Sequence, residues 1–264
     1  MQTSIKLLLP SLVYLFLGML IFAFSDMLPF PPLSRFFIGV FFSVIIFFGS
    51  MPFLRYENIS LTVVHLIPNK KTIIKLITGL VIGAVILGIM LFLLFSLTDL
   101  SIEPNQNQTW IPFLLASSAF IPLALMEELL FRGYPFFRLS LFINIRWVLL
   151  ITAILFSLYH YNGNHNIVAL LIGPGIWGVT YGVAAYLSKS IAVPLGIHIS
   201  ANVLQALFGL KTGYDPMWTV KYKVDSLIKD MDPDNLGIMM QLTVLIVSII
   251  VLELALKSRK TIQS

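Results

Sequence analysis

Apolar runs of about 20 residues recur along almost the whole chain, and this feature limits the possible folds more than any other. A helix of that length is what crossing a lipid bilayer requires. Hydrophobic residues make up 58% of the 264-residue chain and charged residues only 11%, against about a quarter charged residues in soluble domains. The sequence therefore predicts an all-α, polytopic membrane protein in which residues 1–264 form a single transmembrane domain.

Hydropathy predicts about eight membrane-spanning helices around a polar cavity. We expect them at residues 7–25, 36–54, 73–98, 110–137, 147–161, 166–187, 190–210 and 237–256. If the N-terminus is cytoplasmic, twelve of the 17 basic residues fall in inside segments and five in outside segments. The distribution therefore predicts cytoplasmic N- and C-termini, and the compact length and short loops favour a prokaryotic cytoplasmic membrane.

Glycine patterns predict two close helix contacts and one helix distortion. Gly79 with Gly83, and Gly178 with Gly182, form small-xxx-small patterns that let neighbouring helices approach closely. The segment Gly173-Pro174-Gly175 should bend or break the sixth predicted helix.

Cysteine content and net charge exclude several classes of function. The chain has no cysteine, which excludes disulfides, thiol catalysis and cysteine lipidation. The net charge of +5 is what basic cytoplasmic loops produce, so we expect membrane lipids and no nucleic acid among the partners.

Two adjacent glutamates lie inside the fourth predicted helix, where an unpaired charge costs several kcal/mol. Glu128 and Arg132 are four residues apart with the acid first, which favours an ion pair on one helix face. Glu127 points about 100° away and is left for another role. The alternative is that both glutamates share Arg132 as a structural clamp.

Two further helices carry polar residues at the same i, i+4 spacing. Phe156 and His160 share a face of the fifth predicted helix, and His198 and Asn202 share a face of the seventh. Counted at ~1.5 Å per residue from the cytoplasmic basic residues, these groups and Glu127 all lie about 14–21 Å deep. Three helices are therefore predicted to bring polar groups into one layer of the membrane.

These residue types suit the activation of water. Glu127 with His160 can form a general-base pair, and His198 with Asn202 can donate hydrogen bonds to the oxyanion formed when water adds to a carbonyl. A glutamate and two histidines could instead hold zinc, although neither His-x-x-x-His nor His-Glu-x-x-His is present. A non-enzymatic immunity factor or scaffold that binds a peptide or partner helix, and a proton-coupled transporter, are the alternative functions.

The order Glu-Glu-x-x-x-Arg, Phe-x-x-x-His and His-x-x-x-Asn on three hydrophobic helices resembles the CAAX protease and bacteriocin-processing family of intramembrane glutamic endopeptidases. The resemblance covers about residues 110–210. It implies a CAAX prenyl endopeptidase-like enzyme that hydrolyses peptide bonds without a metal or other cofactor. The implied substrate is a peptide or lipidated protein.

The resemblance also implies a role for each matching residue. Glu127 would activate the water molecule with assistance from His160. The oxyanion pocket would be formed by His198 and Asn202. The residues that would support the site are Glu128, Arg132 and Phe156.

Overall fold

The computed structural model describes residues 2–26, 34–161, 166–222 and 231–263, and within them the chain is mostly helical. The helices are α1 (Gln2–Asp26), α2 (Ser34–Tyr56), α3 (Thr72–Leu97), α4 (Trp110–Ser117), α5 (Phe120–Arg132), α6 (Tyr134–Leu139), α7 (Ile145–Tyr159), α8 (Ile167–Leu170), α9 (Ile176–Ser188), α10 (Ala192–Leu207) and α11 (Pro233–Gln263). One π-helical turn, Leu171–Gly175, joins α8 to α9. Two short strands, β1 (Leu100–Pro104) and β2 (Trp218–Tyr222), pair antiparallel and were not predicted.

Five segments of the described chain are long and apolar enough to cross a bilayer. They are Ser34–Tyr56, Thr72–Leu97, Trp110–Leu139, Ile167–Ser188 and Pro233–Arg259. Three shorter apolar segments are Leu8–Phe22, Ile145–Tyr159 and Ala192–Leu207. An all-α membrane fold is therefore supported, while the predicted count of about eight full spans is not confirmed. Helices of 15 and 16 residues, as α7 and α10 are, reach only ~22–24 Å, less than the ~30 Å hydrocarbon core.

The fourth predicted helix, 110–137, is divided into α4, α5 and α6. The break between α5 and α6 lies at Gly133, where an added Cβ would stand 2.2 Å from the carbonyl oxygen of Leu129. Pro135 follows in the first turn of α6, where a residue without an N–H is tolerated. The same missing N–H prevents proline from continuing the hydrogen bonds of α5. Helix α5 therefore ends at Arg132, one residue before the break.

The predicted distortion of the sixth helix is present as the π-helical turn. Pro174 has no N–H to donate to the carbonyl of Leu170, four residues earlier. The hydroxyl of Ser157, on α7, donates to that carbonyl at 2.7 Å instead. Gly175 makes room for this contact, because a Cβ there would lie 2.7 Å from the Ser157 oxygen. The hydrogen bond from Ser157 thus links the π-helical turn at Gly-Pro-Gly to α7.

Both predicted small-xxx-small patterns mark close helix contacts. A Cβ on Gly79 would lie 2.1 Å from a backbone oxygen of α10, and one on Gly83 would lie 2.7 Å from another. Gly196 of α10 makes the reciprocal approach to the backbone of α3. A Cβ on Gly178 of α9 would lie 3.1 Å from the Ala153 Cα of α7, whereas one on Gly182 would meet the Leu149 side chain of α7 at 2.4 Å. Close backbone contacts therefore join α10, which carries two predicted site residues, to α3, and join α9 to α7 at Gly178.

Candidate active site

A buried ion pair joins Glu128 to Arg132 on α5. The Arg132 Nη1 lies 3.3 Å from Glu128 Oε1, and both side chains are fully buried. The guanidinium also donates from Nη2 to the Gly178 carbonyl of α9 at 3.1 Å and lies 4.3 Å above the Phe156 ring of α7. No ion pair joins Arg132 to Glu127 in the described chain. The arginine therefore links α5 to α7 and α9, and it pairs with Glu128 of its own helix.

His198 of α10 is held on two sides. Its Nδ1 lies 2.9 Å from Glu128 Oε1, and because an ionised carboxylate only accepts, the imidazole is the donor. The Tyr181 ring stacks on the imidazole with centroids 4.7 Å apart and planes 18° apart. These contacts direct the second ring nitrogen, Nε2, toward Glu127 Oε2 at 3.7 Å.

His160 lies at the C-terminal end of α7, where the helix stops. Its Nδ1 is 2.8 Å from the Phe156 carbonyl oxygen, so Nδ1 carries the proton and donates it. The other ring nitrogen, Nε2, lies 3.9 Å from Glu127 Oε2. With 33% of its side chain exposed, His160 is more open than His198, at 7%. The site is therefore more accessible from the end of α7 than from α10.

Glu127 Oε2 lies between the two imidazoles. The distances of 3.7 and 3.9 Å exceed the ~2.7–3.2 Å of a direct N–H···O hydrogen bond. No donor of the described residues reaches this oxygen, although it is buried. A water molecule beside it would be within hydrogen-bond distance of the carboxylate and of an imidazole nitrogen at once. The arrangement can therefore orient a water between a base and two histidines.

Asn202 lies one turn after His198 on α10, and a lysine outside the motifs contacts it. The Lys211 Nζ donates to Asn202 Oδ1 at 2.9 Å. Burial lowers the pKa of the Lys211 ammonium, and the negative charge of Glu127 opposes that shift. The attraction to Glu127 favours the charged form of Lys211, which lies beside Asn202 at the edge of the site.

The structure brings Glu127, His160 and His198 together, and it places Lys211 against Asn202. Glu127, His160 and His198 meet at one oxygen rather than in two separate pairs. The missed contacts come from Tyr181 and Lys211. Tyr181 is one of many aromatic residues in apolar helices, and Lys211 lies just after the seventh predicted helix, 190–210. Neither residue has a spacing pattern that would have singled it out.

The described ranges contain no group of three or more His, Asp or Glu residues arranged to hold a metal ion. The fold and the site together define a helical membrane protein with a glutamate–histidine centre. Residues 107–204 match the family described as type II CAAX prenyl endopeptidase, Rce1-like. This match confirms the predicted resemblance to the CAAX protease family over this part of the chain. Searches among curated proteins and among solved structures find no match.

Proposed function

We propose that the chain is an intramembrane endopeptidase of the CAAX prenyl endopeptidase class, which hydrolyses a peptide bond with a water molecule held at Glu127. The observation that carries the proposal is the buried Glu127 Oε2, flanked by two imidazole nitrogens at 3.7 and 3.9 Å and reached by no donor of the described residues. Residues 107–204 match a family of endopeptidases, and this match supports the same reaction.

In the proposed reaction Glu127 is the general base. It takes one proton from the water as the water oxygen bonds to the peptide carbonyl carbon. His160, whose Nδ1 proton is engaged by Phe156, accepts a hydrogen bond at Nε2 from the second water O–H, which stays on the oxygen that joins the carbonyl carbon. Collapse of the tetrahedral intermediate breaks the C–N bond, and protonated Glu127 returns its proton to the leaving nitrogen. The products are a new carboxyl group and a new amine.

The negative charge that forms on the carbonyl oxygen needs hydrogen-bond donors. We assign this role to His198 and Asn202. His198 donates from Nε2 when both ring nitrogens carry protons, with Nδ1 engaged by Glu128. The stacked Tyr181 ring helps to hold the imidazole in this orientation. The Asn202 side-chain amide supplies the second donor.

The proposed substrate is a peptide or a lipidated protein tail. The family description names prenyl endopeptidases, whose substrates carry an apolar chain beside the cleaved bond. We propose that such a substrate reaches the site from the membrane, because the surrounding helices are apolar. We further propose that the protein works in a prokaryotic cytoplasmic membrane with both termini in the cytoplasm, as its basic residues suggest.

A comparison of membrane peptidomes tests the function without knowledge of the substrate. Cells would express the native chain, Glu127→Gln or Glu103→Gln at equal abundance. Glu103 is the matched control, because it lies exposed on β1, where it pairs with Lys221. We expect a set of cleavage products that disappears with Glu127→Gln and persists with Glu103→Gln.

Unchanged products with Glu127→Gln would contradict the proposed function. If a biological phenotype of the protein also survived that substitution, the evidence would favour the immunity factor or scaffold instead. A peptidome in which His160→Ala had no effect while Glu127→Gln was inactive would remove only the assisting role of His160.

A further inference from the structure

Lys211 reaches the site from a segment that lies outside the matched region 107–204. Helix α10 ends at Leu207, and the chain reverses at Gly209, whose φ is +70°. This left-handed conformation suits glycine, and a Cβ there would also lie 3.2 Å from a backbone oxygen of β2. The Leu210 N–H closes the turn with a hydrogen bond of 2.8 Å to the Gln205 carbonyl. The turn brings Lys211 back beside α10.

Contacts with two helices hold the segment that follows the turn. Arg35 of α2 donates to the Gly213 carbonyl at 3.4 Å, and its guanidinium lies 5.3 Å from the centre of the Tyr214 ring. The Tyr214 ring packs against Phe120 of α5 at 4.5 Å, and the Lys211 ammonium lies 5.4 Å from the centre of the same Phe120 ring. These contacts fix the position of the segment and, with it, the position of Lys211.

The chemistry of lysine fixes the orientation of the Asn202 carboxamide. An ammonium has three donors and no acceptor, so the atom it contacts must be the amide oxygen, Oδ1. With the oxygen engaged, the NH₂ group points to the other side of the carboxamide. Without this contact the amide could rotate by 180° and present its oxygen, which would repel an oxyanion.

We propose that Lys211 is a positioning residue for the oxyanion pocket, which turns the Asn202 amide so that its N–H groups face the reacting carbonyl. The inference rests on the proposed peptidase function and adds a residue to it. The positive charge of Lys211 also polarises the carboxamide through its oxygen, which makes the N–H groups stronger donors. Both effects act on the transition state, where the oxyanion forms, rather than on substrate binding.

The test uses the purified full-length protein in liposomes and a synthetic peptide that spans a cleavage site mapped in the peptidome comparison. The variants are Lys211→Met, which keeps a chain of similar length without charge, and Lys211→Arg, which keeps a cation that can only donate. The matched control is Lys221→Met on β2, where the lysine pairs with Glu103.

We expect Lys211→Met to lower kcat about tenfold or more with little change in KM, because removal of one oxyanion donor costs about 10²–10³ in kcat. Lys211→Arg should restore most of the rate, and Lys221→Met should behave as the native chain. Asn202→Asp keeps an oxygen for Lys211 but has no N–H, so it should be as inactive as Asn202→Ala.

A double-mutant cycle separates positioning from a general structural effect. In the Asn202→Ala background, Lys211→Met should have no further effect on kcat, because the group it orients is gone. Equal kcat for Lys211→Met and Lys221→Met, or additive losses in the cycle, would overturn the proposal. If Glu127→Gln retained full cleavage of the same peptide, the proposed function itself would fail, and the role of Lys211 with it.

Discussion

Replacement of Arg132 by methionine tests whether the buried ion pair holds the site together. The substitution keeps an unbranched side chain and removes the charge and all hydrogen bonds. In the native chain Nη1 lies 3.3 Å from Glu128 Oε1 and Nη2 lies 3.1 Å from the Gly178 carbonyl oxygen, with both ionic side chains at 0% exposure. The variant therefore leaves a buried carboxylate without its arginine.

The expected loss of stability follows from that uncompensated charge. Removal of one partner of a buried ion pair costs about 3–5 kcal/mol. The imidazole of His198 still donates to Glu128 Oε1 at 2.9 Å in the variant, which offsets part of this cost. We therefore expect Arg132→Met to lower the free energy of unfolding by about 3 kcal/mol, the lower end of that range.

Reversible unfolding in mixed micelles of a mild detergent and sodium dodecyl sulfate measures this free energy. Arg146→Met is the control, because the ion pair of Arg146 with Glu253 is about half exposed and should contribute far less. The double variant Glu128→Gln with Arg132→Met should be more stable than Arg132→Met alone, since no charge is left unpaired. If Arg132→Met and Arg146→Met were equally stable, or if the double variant were the least stable of all, the reasoning would be refuted.

Two more predictions concern packing and cofactors. Gly79→Val should force α3 away from the α10 backbone, which should lower the stability by about 1–3 kcal/mol and also lower the cleavage rate. The control is Gly88→Val, which should change neither quantity, because an added Cβ at Gly88 meets nothing within 4 Å. Thermal unfolding and peptide cleavage measure both variants, and equal behaviour of the two would contradict the packing argument. Treatment with EDTA or 1,10-phenanthroline should leave the cleavage rate of the purified protein unchanged, and a loss reversed by added zinc would establish a metal-dependent mechanism instead.

The helices were predictable where hydrophobicity alone defines them. Helix α3 was predicted at 73–98 and extends over Thr72–Leu97. The division of the segment 110–137 was missed because its causes are local: the tight backbone at Gly133 and the proline two residues later. The β1–β2 pair was missed because two five-residue strands far apart in sequence have no periodic signal of their own.

The candidate site was predictable where spacing fixes a contact. The i, i+4 rule placed Arg132 against Glu128, and the shared depth of the helices placed Glu127 near His160 and His198. Lys211 could not be found in this way, because its contact depends on a turn at Gly209 and on packing between distant segments. The roles of all these residues in catalysis stay predictions until the variants are assayed.

The two adjacent glutamates have different surroundings because a helix turns about 100° per residue. One oxygen of Glu128 is engaged both by Arg132 of the same helix and by His198 of α10. Glu127 faces the two Nε2 atoms, and no donor of the described residues reaches its Oε2. One carboxylate is therefore committed to holding the helices and orienting an imidazole, which leaves the other available as an acceptor for water. Exchange of the two roles would require a rotation of α5 that the Arg132 contacts to α7 and α9 prevent.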